Sequence, residues 1–209
     1  MLDRVKIKKR AKELTGAHIW SYWKLMIYVI LLMIVISVIG AGISESSYTG
    51  NLIITFLTQL ATAPLTVGIY WCLLCIVRTG KYTTHDIFKF FKYCWLIVLL
   101  QILISIFTWL WMLLLIIPGI IAAISYSMSF YIFAESEEKP MECIRKSKAL
   151  MKGYKADYFI FCLSFLGWFL LGAFTCGILY IWIIPYFQFA TSVYYNELVN
   201  VNKNELTNV

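Results

Sequence analysis

The stretch Tyr93–Ala134 reads YCWLIVLLQILISIFTWLWMLLLIIPGIIAAISYSMSFYIFA and contains no Asp, Glu, Lys or Arg. A helix rises about 1.5 Å per residue, so about 20 apolar residues cross the hydrocarbon of a bilayer. This run is twice too long for one crossing. It divides at Pro118-Gly119, where proline ends one helix and opens the next. Three further runs are equally free of charge: Leu25–Ser44, Ser46–Val77 and Tyr158–Asn196. The second begins with a polar turn from Ser46 to Asn51 and then gives one long span. The last is double and breaks at the small residues near Gly172–Gly177. These runs predict about six transmembrane helices, near 25–44, 53–77, 93–116, 118–134, 158–174 and 178–196.

Composition points the same way. The chain has 209 residues, of which 61% are hydrophobic and only 14% charged. Soluble domains are usually about 45–50% apolar and about 25% charged. A soluble fold of this size could not cover so much apolar surface. Peptide groups in lipid must bond within a helix or a closed barrel, and continuous rather than alternating apolar runs favour helices. The expected fold is therefore all-α, a polytopic membrane helix bundle with short interfacial cytoplasmic helices. Residues 1–24 form a basic cytoplasmic segment, 25–196 the membrane domain and 197–209 a cytoplasmic tail.

Charge sets the orientation. All 18 Lys and Arg residues lie in the N-terminal segment, the second loop, the fourth loop or the tail. Basic loops stay on the cytoplasmic side. An even number of spans puts both termini there. Trp20, Trp23 and Trp95 fall at predicted inner boundaries, and Trp109 and Trp111 at an outer one. The net charge of +7 then reads as attraction to anionic lipid head groups, worth roughly 1 kcal/mol per residue near the surface. The candidate head-group contacts are Lys8, Lys9, Arg10, Arg145, Lys146 and Lys152. Nucleic acid is not an expected partner, because no soluble domain is present to carry it.

Two cytoplasmic segments have helical patterns. Arg4–Leu14 places Ile7, Ala11 and Leu14 on one face, which fits a helix on the inner membrane surface or a solvated leader that only sets topology. From 140 to 152, Pro140 suits a first turn, Glu142 lies near the start, and Lys148 and Lys152 lie near the end. That polarity complements the helix dipole, and Gly153 supplies a stop. Met141, Ile144, Leu150 and Met151 are its expected apolar stripe.

Chemistry-bearing patterns are sparse. Cys72 and Cys75 form C-x-x-C inside an apolar helix. Only His18 and His85 are available to complete a metal site, so packing cysteines are the better reading. G-x-S-x-G and H-E-x-x-H are absent, and no carboxylate lies within a span. His85, Asp86 and Asp157 read as solvated charges at the inner margin. No catalytic residue, metal ligand or cofactor is expected. Pro64 predicts a kink with Thr62 and Thr66 hydroxyls beside it. Gln59, Gln101 and Gln188 are costly polar residues in spans, read first as interhelical hydrogen-bonding groups. Gly119, Ala123 and Ser127 recur every four residues and predict close helix packing. Pro118, Gly153 and Pro185 complete the structural candidates. Ile116-Ile117-Pro118 with Ala123 and Ser125 echoes Ile183-Ile184-Pro185 with Ala190 and Ser192, either as a repeat or by chance.

The segment Glu142-Cys143-Ile144-Arg145-Lys146-Ser147-Lys148-Ala149-Leu150-Met151-Lys152-Gly153-Tyr154 carries a basic pair, a Ser, a Leu-Met pair and then Gly. With Ile117-Pro118-Gly119, Leu166-Gly167-Trp168, Ile184-Pro185-Tyr186 and the N-terminal Ile7–Lys12 stretch, it resembles a bacterial family of multi-pass membrane proteins catalogued as domain of unknown function 975. The resemblance implies a protein of the bacterial cytoplasmic membrane. That family brings no established activity, so no functional residue is carried over. A looser likeness links the Pro-Gly and Arg-Lys-Ser pattern to the membrane domain fused to some glycerophosphodiesterases. The leading functional expectation is a non-enzymatic accessory, scaffolding or envelope-homeostasis factor. The alternative is a small carrier or export component for a neutral or hydrophobic solute. A homo-oligomer or a membrane-protein partner is compatible with either.

Overall fold

A computed structural model describes residues 2–43 and 48–207. The polar turn expected around Ser46 and Ser47 lies outside the described residues. Among those described there is no strand. The helices are α1 (Arg4–Ile43), α2 (Tyr48–Thr79), α3 (Cys94–Leu114), α4 (Ile116–Tyr126), α5 (Ser129–Ser136), α6 (Pro140–Leu150), α7 (Lys155–Phe174) and α8 (Tyr180–Thr207). A 3-10 segment, Thr84–Tyr93, precedes α3. The protein is an all-α bundle.

Among the described residues, five helical stretches are long and apolar enough to cross a membrane: Arg4–Ile36, Ile54–Thr79, Thr84–Leu114, Ile116–Ser136 and Lys155–Phe174. The sixth expected span falls on α8, which is long but carries Gln188, Thr191, Ser192, Asn196 and Glu197. Its position explains the polarity. Phe189, Ala190, Val193, Tyr194, Tyr195 and Leu198 are fully enclosed, so the polar second half of α8 packs against protein, while Ile181 and Trp182 in its first turn are exposed. It also runs without a break through 197, so what reads as a tail continues the helix.

The two ends of the bundle differ. Every residue from Trp109 to Ile117, around the α3–α4 turn, is exposed; Leu113 reaches 85%. The outer faces of α1, α3 and α7 are similarly bare and apolar. The opposite end is packed. There α2 from Ala63 to Val77, the 3-10 segment, α5, α6 and α8 enclose Phe90, Phe133, Tyr131 and Tyr195. Gly68 makes part of this packing: a Cβ there would meet the Ile87 carbonyl oxygen at 2.4 Å and its Cα at 2.7 Å. Only a glycine lets the 3-10 segment lie so close to α2.

Each of the four prolines is accommodated differently. Pro140 opens α6 and Pro118 sits in the first turn of α4, where no intrahelical N–H is needed. The helix break precedes Pro118, at Leu115, whose backbone is extended (φ −163°). Pro64 and Pro185 lie inside α2 and α8 and leave the carbonyls of Leu60 and Ile181 without their helical donors. Both are served from another element. The Cys94 thiol donates to the Leu60 oxygen at 2.8 Å, and the Trp23 indole Nε1 donates to the Ile181 oxygen at 3.2 Å. The threonines beside Pro64 do something else: Thr62 bonds the Thr58 carbonyl and Thr66 the Ala63 carbonyl.

α1 is also informative. Asp3 accepts the Val5 and Lys6 amides at 3.1 Å each and caps the helix. A kink at His18 (φ −123°, ψ 16°) separates a basic first part from an apolar second part. Ile7, Ala11 and Thr15 are buried, Tyr22 packs against Phe189, and the Tyr186 hydroxyl reaches the Lys8 carbonyl. Of the stripe expected either on the membrane surface or in a solvated leader, Ile7 and Ala11 are thus covered by protein and Leu14 is half-buried.

The Trp23–Ile181 bond predicts a coupled pair of substitutions. Trp23→Phe removes the donor and should cost roughly 1 kcal/mol of stability in detergent. In a Pro185→Ala background the new amide supplies Ile181, so the same change should cost much less of that amount. Equal costs in both backgrounds, measured by denaturant unfolding, would show that the indole does not serve this carbonyl.

Candidate functional site

The densest polar chemistry lies at the packed end, where α1, α2, α5, α7 and α8 converge. Arg78, in the last turn of α2, pairs with Glu135 on α5, and its Nε donates to the Asn196 side-chain oxygen on α8 at 2.9 Å. The Tyr195 hydroxyl donates to the same Glu135 carboxylate. Tyr195 stacks on Tyr131 with ring centroids 5.1 Å apart, and Tyr131 lies 4.7 Å from Tyr70. The Tyr131 and Ser192 hydroxyls share a bond of 3.3 Å. A ladder of aromatic hydroxyls thus runs from the Arg78–Glu135 pair into the core.

Around this hub further ion pairs tie the elements together. Arg10 on α1 donates to the Val77 carbonyl at 3.0 Å and lies 3.8 Å from Glu197. Arg4 reaches Asp157 at 3.3 Å. Asp157 is 4% exposed and neither carboxylate oxygen has a hydrogen bond, so the Arg4 charge is its main compensation. The expected solvated position for Asp157 is therefore corrected: the α1 segment covers it. His85 remains exposed beside Phe88.

Glu137 follows α5 in the left-handed conformation (φ 51°) and accepts Lys89 at 2.9 Å and Lys92 at 3.7 Å. The Tyr93 hydroxyl, then the two lysines, hold its carboxyl below the usual carboxylate range. Lys89 also lies over the Trp71 ring at 4.8 Å. Between α5 and α6, Cys143 is buried with its thiol toward the Glu138 carbonyl, and burial pushes its pKa up to about 11.

The head-group candidates separate into two kinds. Arg10, Arg145 and Lys146 are paired with Glu197, Glu142 and Glu138. Lys8 lies 5.0 Å from the Phe165 ring centroid. Lys9 and Lys152 are exposed and carry no ion pair among the described residues. Two basic residues left out of that set, Lys148 and Lys155, line a cleft beside α4. The clue in the sequence is the seven-residue spacing across the Gly153 turn, which brings the end of α6 and the start of α7 to one place.

The packing candidates are also redistributed. Gly119 meets the Met112 backbone, with a notional Cβ 2.8 Å from the Met112 Cα. Ala123 is exposed and Ser127 half-buried; the buried row is Gly119, Ala122, Ser125 and Tyr126. A helix buries positions three and four apart alternately, which a strict four-residue repeat does not track. Gly153 holds a positive φ of 89° after α6, which starts at Pro140 as its composition suggests. The buried face of α6 is Pro140, Cys143, Ile144 and Ser147, continued by Met151, while Met141 points outward. Cys72 is buried near the Thr83 carbonyl and Cys75 is half-buried. No group of three or more His, Cys, Asp or Glu is placed to hold a metal among the described residues.

This geometry defines a helical protein with, among the described residues, five helices apolar enough to cross a membrane and an ion-paired, tyrosine-rich end. Residues 110–202 match the model of the family described as Protein of unknown function (DUF975), the family that the sequence resembles. The matched stretch runs from the end of α3 into α8 and includes Tyr131, Glu135, Asp157, Ser192 and Asn196. Their basic partners Arg4 and Arg78 lie ahead of it. No curated protein and no solved structure matches the chain.

Because the folded-state pKa of Glu137 is depressed, its contribution to stability is present above the ordinary carboxylate range and lost as pH falls through the folded value. Glu137→Gln should therefore destabilise the chain at neutral pH. The difference from the parent should shrink as the pH is lowered below the carboxylate range. A difference independent of pH in thermal melts would contradict the ion pairing.

Proposed function

We propose that this chain is a multi-pass protein of the bacterial cytoplasmic membrane with both termini on the cytoplasmic side. It acts without catalysis of its own, as an accessory, scaffolding or envelope-homeostasis factor. The observation that supports this most is the asymmetry of the bundle. One end presents bare apolar side chains around Trp109–Ile117 and along α3 and α7. The other gathers the ion pairs and fills its interior with tyrosine and phenylalanine rings. A filled interior suits a rigid platform, and a bare apolar belt suits lipid or the helices of a membrane partner.

The carrier reading keeps one supporting feature. Thr55, Gln59, Gln101 and Ser105 line a cleft of about 350 Å³ between α2 and α3. Polar groups on the outer surface of apolar helices give a neutral solute something to bond.

Cysteine accessibility tests the placement. In a cysteine-free background, Ser46→Cys or Ser47→Cys should react with an impermeant reagent added to intact cells, and Thr83→Cys or Ser136→Cys should not. The reverse labelling would overturn the orientation. Solute flux into proteoliposomes that is lost in Gln59→Leu and Gln101→Leu would favour the carrier over the scaffold.

A further inference from the structure

Among the described residues, seven ion pairs take up most of the acidic side chains of the packed end, yet Lys148 and Lys155 share none of them. Neither has a hydrogen-bond partner among the described residues. Both face one cleft of about 120 Å³ between α4, α6 and α7. Its walls are Trp111, Pro118, Ile121 and Ala122. From Ser125, beside the lysines, to Pro118 the cleft follows α4 for about 10 Å. The serines at its mouth are already engaged: Ser147 Oγ donates to the Ser125 carbonyl at 2.8 Å, and Ser125 Oγ to the Ile121 carbonyl at 2.6 Å. α7 begins at Lys155 with no side chain capping it, so its free amides add positive potential at the same mouth. The nearby Asp157 is engaged by Arg4.

Two unpaired cations opening onto an apolar trough match a ligand with one anionic head and a hydrocarbon chain. We infer that this cleft holds one anionic phospholipid, with the phosphate between Lys148 and Lys155. Its first methylenes lie along Ile121, Ala122 and Pro118 toward Trp111. The bilayer leaflet is the source, so the inference rests on the membrane placement proposed above. It differs from general attraction of a basic face to a charged surface: the site is a single cleft with a chain-binding wall, and the basic residues paired elsewhere take no part.

The test uses the full chain in phosphatidylcholine vesicles containing a minor fraction of phosphatidylglycerol, with one lipid or the other brominated along its acyl chains. Brominated phosphatidylcholine should quench the exposed tryptophans, among them Trp109 and Trp168; no quenching by either lipid would refute the membrane placement itself. Brominated phosphatidylglycerol should quench more per molecule, and the excess should vanish in Trp111→Phe. In the Lys148→Gln/Lys155→Gln double variant the preference should fall roughly thirtyfold, about 2 kcal/mol for two cations near a membrane surface. Lys148→Arg/Lys155→Arg should retain it. Unchanged quenching by brominated phosphatidylcholine in each variant reports that the chain still folds and inserts. Equal quenching by the two lipids, or an excess that survives the glutamine variant, would refute the site while leaving the membrane placement intact. An excess removed by soluble glycerol phosphate would make the cleft a site for free phosphate and equally overturn the lipid assignment.

Discussion

A peptide carbonyl surrounded by hydrocarbon must find a donor, and in this chain that demand shapes the tertiary contacts. Two internal prolines each leave a carbonyl without its helical partner. The donors come from elsewhere in the chain: the Cys94 thiol at the start of α3 reaches Leu60, and the Trp23 indole on α1 reaches Ile181. Each bond fixes one helix against another at a defined height. The first sets where the 3-10 segment hands over to α3, and Gly68 then lets that segment lie against α2. The second sets α1 against α8, so that Arg4 and Arg10 arrive at Asp157 and Glu197.

The packed end follows from those placements. Once α1, α2 and α8 are held, Arg78 can serve both Glu135 and Asn196, and Tyr195 can add a hydroxyl to the same carboxylate. Exposed pairs of this kind contribute little singly. Together they engage most of the acidic side chains near the basic face, and among the described residues Lys148 and Lys155 are not part of any of these pairs.

Much of the architecture was legible in the sequence because it rests on composition. Uncharged runs of helical length gave the all-α fold, Pro140 and Gly153 bracketed α6, and Pro118 marked the α3–α4 turn within a few residues. What was not legible depends on neighbours distant in the chain. The sequence shows that Pro64 frees a carbonyl but not that Cys94, rather than a nearby threonine, reaches it. It shows a carboxylate at 157 next to a basic loop, but not that Arg4 and the α1 segment cover it. The regular Gly119, Ala123 and Ser127 spacing suggested one packing face; contact with α3, α6 and α7 instead selected Gly119, Ala122, Ser125 and Tyr126. Likewise the charge-free run at 178–196 suggested a span, and the sequence did not show that its polar second half is enclosed by protein.

On the placement proposed above, the bare apolar end of the bundle is solvated by lipid. Alkaline extraction of cell membranes followed by flotation through a density gradient tests it most directly. The chain should stay with the floating lipid after extraction, since no ionic contact is needed to hold it. Recovery of the chain as a soluble species, free of lipid and detergent, would show that lipid does not solvate this end.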